Sequence, residues 1–255
     1  MKRNIFLIVW MFGSLFSTSA QNTFNVVNRV VFENKSGNLN RIIAILPVPQ
    51  SNNYQTVSGL QVSEGDILPV PNSGNLYLRN IKTSGLPAAG NSACTTETFE
   101  VSLYPMHIDF SQFKKMYPYD TQSEIYRRYT SDKGGYIDTN HPVIQTVSDS
   151  LWKQSGQHII DYARLCYGYV GANYKYLNPN TGIHPIADIL ATGGGDCGNL
   201  SSLFVTLLRA KRIPARHIVT VRPDNSYHVW SDFYLEKYGW IPVDVTMKLD
   251  FPNGD

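Results

Sequence analysis

The feature that most limits what this chain can fold into is the run from Gly193 to Arg212, GGGDCGNLSSLFVTLLRAKR. Leu200, Leu203, Phe204, Leu207 and Leu208 recur at i, i+3, i+4, i+7 and i+8, which lines them up as one apolar stripe on a helix. Such a stripe has to be covered, so this is a core helix. Arg209, Lys211 and Arg212 fall at its carboxyl end, where cations meet the exposed carbonyls favourably. Three glycines precede the helix and Cys197 falls in its first turn. Strand-like segments follow: RHIVTVR, YHVWSDFY and GWIPVDV, joined by PDNS and EKYG. Period-two alternation puts His228, Trp230, Asp232 and Tyr234 on one face of the middle strand, and Trp240, Pro242 and Asp244 on one face of the next. A helix packed on an antiparallel sheet gives an α+β domain.

Two further helices are expected upstream. Asn140-His141-Pro142 reads as a helix start, with Pro142 in the first turn where its missing N–H matters least, followed by Val143, Ile144, Val147 and Leu151 at helical spacing. Ile159, Ile160, Ala163, Cys166, Tyr167 and Val170 form the apolar face of a second. Before residue 140 the texture changes. FNVVNRVVFE, LNRIIAILPVP, GLQVSE, NLYLRNIK and TFEVSLYPMHIDF are divided by the turn-rich KSGN, PQSNN, PNSGN and GLPAAGNSA. That pattern suggests a β-sandwich, with Pro47 and Pro49 ending a strand or marking an edge. The expected organisation is a β-sandwich-like domain with a linker over 21–140 and the α+β domain over 141–255.

Residues 1–20 have the layout of a secretory signal peptide: basic Lys2 and Arg3, an apolar run from Ile5 to Phe16, and small residues Thr18 and Ala20 before a cleavage point. The run is short for a spanning helix. No membrane span is expected after cleavage, and the protein is expected to be secreted or periplasmic. Lys2 and Arg3 account for the whole formal charge of +2, and the remainder holds equal numbers of basic and acidic side chains. A chain so balanced carries no footprint of nucleic-acid binding through phosphates.

The three cysteines, Cys94, Cys166 and Cys197, are an odd number, so at least one thiol of an exported protein stays free or pairs outside the chain. A Cys94–Cys166 bridge is one option. Cys166, on an apolar helix face, reads as a buried structural thiol. Cys197 differs, because a helix amino terminus favours the thiolate that nucleophilic chemistry needs. The glycines before it allow a close backbone approach and N–H groups for an oxyanion. His228 lies mid-strand in a chain with six histidines, and Asp244 follows on the neighbouring strand, where it can fix the imidazole tautomer. Asp196 is a natural helix cap, yet its negative charge opposes a neighbouring thiolate.

The order G-x-C-G-x-x-S-x-L-F…LLRA…IPAR…HVW…GW-x-P-V-D-V-T, from Gly195 to Thr246, resembles the transglutaminase-like superfamily. The resemblance implies a papain-like α+β core with an amino-terminal β domain. It makes Cys197 the nucleophile, His228 the general base and acid, and Asp244 its orienting partner. It also implies that a side chain from the lead-in segment YVGANYKY assists the oxyanion, with Tyr176 and Tyr174 as candidates. The chemistry implied is attack on a carboxamide or peptide bond through a thioester, without a cofactor, on a peptide, protein or cell-wall peptide. Hydrolysis is favoured over crosslinking, since water outcompetes amines unless it is excluded.

Two other readings stay open at this level. Cys197, His228 and Asp244, with His217 nearby, could in principle ligate a metal, although no paired Cys/His spacing of the zinc type is present. Alternatively the triad is vestigial and the sixteen tyrosines serve a secreted binding module.

Overall fold

The computed structural model describes residues 22–247, apart from 36, 72, 106–107, 178–181 and 223–225. The expected signal peptide lies outside the described residues. The chain divides into two compact units, Met1–Asp109 and Phe110–Asp255.

The described residues of the first unit form two three-stranded antiparallel sheets. One has the order β1 (Asn22–Glu33), β6 (Ser92–Leu103), β3 (Gln55–Val62). The other has the order β2 (Ile42–Val48), β5 (Leu76–Lys82), β4 (Asp66–Pro69). Strand β2 alternates buried and exposed positions without a break, so Ala44, Leu46 and Val48 point inward with Leu78 of β5, and Leu60 and Val62 of β3 close over them. Pro47 sits where the sequence allows it, in an edge strand that needs no ladder bond on its outer side. Two details were not legible. Strand β4 is too short to register as a pattern, and β6 begins inside a stretch that reads as a turn.

The second unit is built around α5 (Cys197–Ala210), in which every residue from Gly198 to Arg209 is buried. The apolar stripe is therefore only part of its burial. Small hydroxylated residues let its other sides pack closely. Ser202 and Thr206 turn their hydroxyls back onto the carbonyls of Gly198 and Ser202, at 2.9 and 2.7 Å, so no polar atom is left unpaired by the burial. On one side lies the antiparallel sheet β9 (Ala215–Val221), β10 (Tyr227–Leu235), β11 (Gly239–Val243), with β10 in the centre. Helices α2 (Pro142–Gln154), α3 (Ile159–Asn173) and α4 (Ile186–Thr192) cover other sides. The expected helix start holds, with Pro142 at the head of α2; Tyr162 of α3 reaches α5 with a hydroxyl bond to the Leu207 carbonyl. Arg209 is buried at the end of α5 and donates to the carbonyls of Ala215 and Ser131; burial lowers its pKa to about 10.

Residues 111–140, expected to be a linker with short irregular elements, belong to this second unit. They hold α1 (Glu124–Tyr129), capped by Ser123, and Tyr119 donates its hydroxyl to the Tyr234 carbonyl at 2.7 Å. No helix among the described residues is long and apolar enough to cross a membrane.

Candidate active site

The three glycines before Asp196 have three different tasks. Gly193 ends α4 in the left-handed conformation (φ 69°), where a side chain is strained, and its N–H closes the helix on Ile189. Gly194 and Gly195 form a two-residue parallel strand, β8, against β7 (Lys175–Tyr176). Lys175 N–H donates to the Gly193 carbonyl and Leu177 N–H to the Gly195 carbonyl, at 3.0 and 2.9 Å. A Cβ on Gly194 would overlap the Lys175 carbonyl, and one on Gly195 would overlap the Asn199 side chain. The close approach expected at these glycines is thus to the Lys175–Leu177 segment. Its consequence is to carry Tyr176 to the start of α5.

Tyr176 lies close to Cys197, near enough for the thiol to act on its phenol. Partial burial, followed by the nearby sulfur and the Asp196 carboxylate, pushes its pKa up, so it stays a protonated donor at neutral pH. Tyr174, the other candidate from the lead-in segment, is buried and packed against Tyr169, and burial raises its pKa too. Of the two, Tyr176 is the one beside the thiol.

Cys197 occupies the first helical position of α5 and is half-exposed. Asp196 is the cap: its Oδ1 accepts from the Asn199 backbone N–H at 2.9 Å and from the Asn199 amide at 2.8 Å. Asn199, fully buried, in turn donates to the Gly182 carbonyl and accepts from the His184 N–H. The Asp196 carboxylate is therefore tied into the turn by two donors.

His228 is buried near the start of β10, and its Nε2 lies 2.5 Å from Asp244 Oδ2. Asp244 follows β11, and its other oxygen accepts from the N–H and the hydroxyl of Thr246 at 3.0 and 2.6 Å. The carboxylate is held at both oxygens, which fixes the direction it presents to the imidazole. The next residue on β10 ties this strand to the first turns of α5: Ser201 Oγ donates to the Val229 carbonyl at 3.2 Å, and the Val229 side chain lies against Gly198.

Residues 145–245 match the family model of the transglutaminase-like superfamily. That segment belongs to the transglutaminase-like superfamily. The match includes Cys197, His228 and Asp244. Among solved structures the chain is similar to a candidate cysteine protease from Cytophaga hutchinsonii, with a TM-score of 0.65 at 15% identity over 89% of this chain and 78% of the other. That likeness shows the fold, a papain-like transglutaminase core. The chain is also similar to the periplasmic domain of TgpA from Pseudomonas aeruginosa, solved with ethylmercury, with a TM-score of 0.42 at 18% identity over 89% and 78% of the two chains. No curated protein matches the chain.

The Cys94–Cys166 bridge is not formed: Cys94 is exposed on β6 and free, and Cys166 is free and buried in α3, where burial pushes its thiol up to about 12. His217, the extra ligand of a metal reading, is instead bonded to Ser202 at 3.0 Å. The residues that sequence reasoning passed over are Asn199, Thr246, and the Lys175–Leu177 segment as partner of the glycines. Only the glycine run hinted at the last of these, since two adjacent residues without side chains imply a neighbour that needs the room.

Proposed function

We propose that this protein is an exported thiol hydrolase that cleaves peptide or carboxamide bonds through a thioester on Cys197. The observation that carries the reading is the Cys197 thiol at the head of α5 close to Tyr176, together with the bonded His228–Asp244 pair at the sheet that packs on the same helix. In the proposed reaction the Cys197 thiolate attacks the carbonyl carbon. The oxyanion that develops is met by the Cys197 backbone N–H and the Tyr176 hydroxyl. His228, held by Asp244, gives its proton to the departing amine, and the acyl group remains on sulfur. A water molecule, deprotonated by His228, then attacks the thioester and releases the acid. The exposure of Tyr176, at 48%, and the half-exposed thiol leave the acyl group open to water, which favours hydrolysis over transfer to an amine. The substrate class is peptide, including cell-wall peptide and isopeptide bonds outside the cytoplasm.

The experiment is to expose the purified protein to a peptide and cell-wall fragment library, quench in acid and weigh the protein by mass spectrometry. A fragment bound as a thioester on Cys197, absent from Cys197→Ala, is the expected result. Repeated failure to trap any acyl group on Cys197, with no fragment consumed, would contradict the reading and favour a binding module.

A further inference from the structure

Helix α5 closes with a turn that favours glycine at its tip and carries arginine there. The Ile213 N–H reaches back to the Leu208 carbonyl at 3.1 Å, and the Arg212 N–H to the Arg209 carbonyl at 2.8 Å. This pair of bonds sets the residue after the cap in the left-handed conformation, which glycine adopts without strain. Here that residue is Arg212, at φ 58°. A side chain retained against backbone strain points to a role for the side chain itself. Arg212 is exposed and lines a cavity of about 380 Å³ within the second unit, together with Tyr126 of α1, Trp152 of α2, Ile159 at the start of α3, and Ile213.

The walls of the cavity are held without Arg212. The Trp152 ring stands edge-on to Tyr162 of α3, with centroids 5.2 Å apart, and the Tyr126 ring lies 5.8 Å from Tyr119, whose hydroxyl is tied to the Tyr234 carbonyl. Lys211, the other cation on the cavity, is paired with Asp149. Among the described residues Arg212 is in no ion pair. Its guanidinium lies over the Tyr126 ring at 5.7 Å, near the outer limit of about 6 Å for such a contact, which is too weak a hold to explain the strained turn. We propose that this cavity binds the carboxylate end of a peptide, with Arg212 taking the carboxylate and the Tyr126 and Trp152 rings taking an apolar side chain beside it. The planar fork of an arginine matches a carboxylate with two parallel bonds. The cavity is of the size of small-ligand sites, roughly 300–1,000 Å³. A bare phosphate would satisfy the fork but leave the rings uncovered. Helix α5 has 14 residues, so at about 1.5 Å per residue the cavity stands roughly 20 Å from Cys197 at the other end. The proposal therefore stands apart from the reading of Cys197 as a nucleophile.

The test uses the full chain carrying Cys197→Ala, so that no probe is consumed. Acetyl-phenylalanine and acetyl-leucine are titrated in turn, each against its primary amide, with inorganic phosphate as the third kind of probe. The reading is the NMR signal of the Trp152 indole N–H. A saturable shift with at least one of the two acids is expected, and the affinity should fall by about tenfold or more for its amide and for phosphate, the scale of one charge-assisted contact. Adding Arg212→Gly should weaken the acid by the same factor. Because glycine suits the turn, the denaturant midpoint of this variant should stay level or rise while binding is lost. A lowered midpoint would make Arg212 a structural residue and overturn the proposal. So would the absence of a saturable shift with either acid, an amide that binds as tightly as its acid, or undiminished binding in Arg212→Gly. Phosphate binding as tightly as the acids would likewise overturn it, leaving an anion site without a side-chain pocket.

Discussion

At the scale of single residues, the candidate site is a set of short-range holds on Tyr176, Asp196 and Asp244. Tyr176 is kept close to Cys197 by the β7–β8 pair, and under the proposed reaction Tyr176→Phe removes one oxyanion donor and leaves the ring. We expect turnover to fall at least about tenfold with little change in KM, as for other oxyanion donors, and steady-state kinetics on a trapped substrate class check it. Asp196 separates capping from charge. Asp196→Ala deletes the acceptor of two Asn199 bonds and should lower stability by about 1 kcal/mol in denaturant unfolding, whereas Asp196→Asn keeps an acceptor oxygen and should stay within about 0.5 kcal/mol. A loss of the same size in both variants would mean that the charge, and not the cap, is what the fold uses. Much of this scale was legible. Cys197 at a helix head and His228 in an alternating strand follow from spacing, and Asp196 from cap chemistry; Asp244, expected within the next strand, stands just past its end. Asn199 and Thr246 were not, because an amide or hydroxyl gives no sign in sequence of which backbone groups it will reach.

At the scale of elements, the glycine run is a packing device that docks β7 on the head of α5. Gly194→Ala would drive a methyl group into the Lys175 carbonyl, so β7 has to move and Tyr176 with it. The expected outcome is a loss of about 1 to 3 kcal/mol in stability together with slower acylation at Cys197, while Gly74→Ala, in open space, changes neither. Helix α5 and β9 meet at His217. The Ser202 hydroxyl gives its proton to the Gly198 carbonyl, so it accepts from His217 Nε2–H, and the imidazole is neutral in the folded chain. Burial, then the nearby Arg209 charge, lowers the His217 pKa to about 4. The unfolded chain therefore takes up this proton first as the pH falls. The neutral imidazole makes no difference above about pH 6.5, and stability declines from there toward pH 4 by up to about 3 kcal/mol. In His217→Gln that acid limb should flatten in unfolding curves taken from pH 7 to 4; an unchanged slope would place the acid sensitivity elsewhere. Helices and long strands were readable from their periods. The two-residue strands β7 and β8 were not, because parallel pairing between distant short segments has no periodic signature.

At the scale of the whole molecule, the chain holds three free thiols in three settings: Cys94 exposed on β6, Cys166 buried in α3, and Cys197 half-exposed at a helix head. The change from strand-like to helix-like texture near residue 140 falls inside the second compact unit, which begins at Phe110. The placement of residues 111–140 was not legible, since short aromatic segments such as KKMYPYD reveal their role only through what they touch, here Tyr238 and Tyr234. Because Cys94 is exposed and stands on the first unit, it serves as an ordinary thiol in the same tube as Cys197. The most direct measurement is the ratio of iodoacetamide alkylation rates at Cys197 and Cys94 at neutral pH, read by peptide mass spectrometry, in the wild type and in His228→Ala. The account predicts that Cys197 reacts about tenfold or more faster than Cys94, and that the advantage disappears in His228→Ala. Equal rates at the two cysteines in the wild type, or an advantage that survives loss of His228, would contradict it.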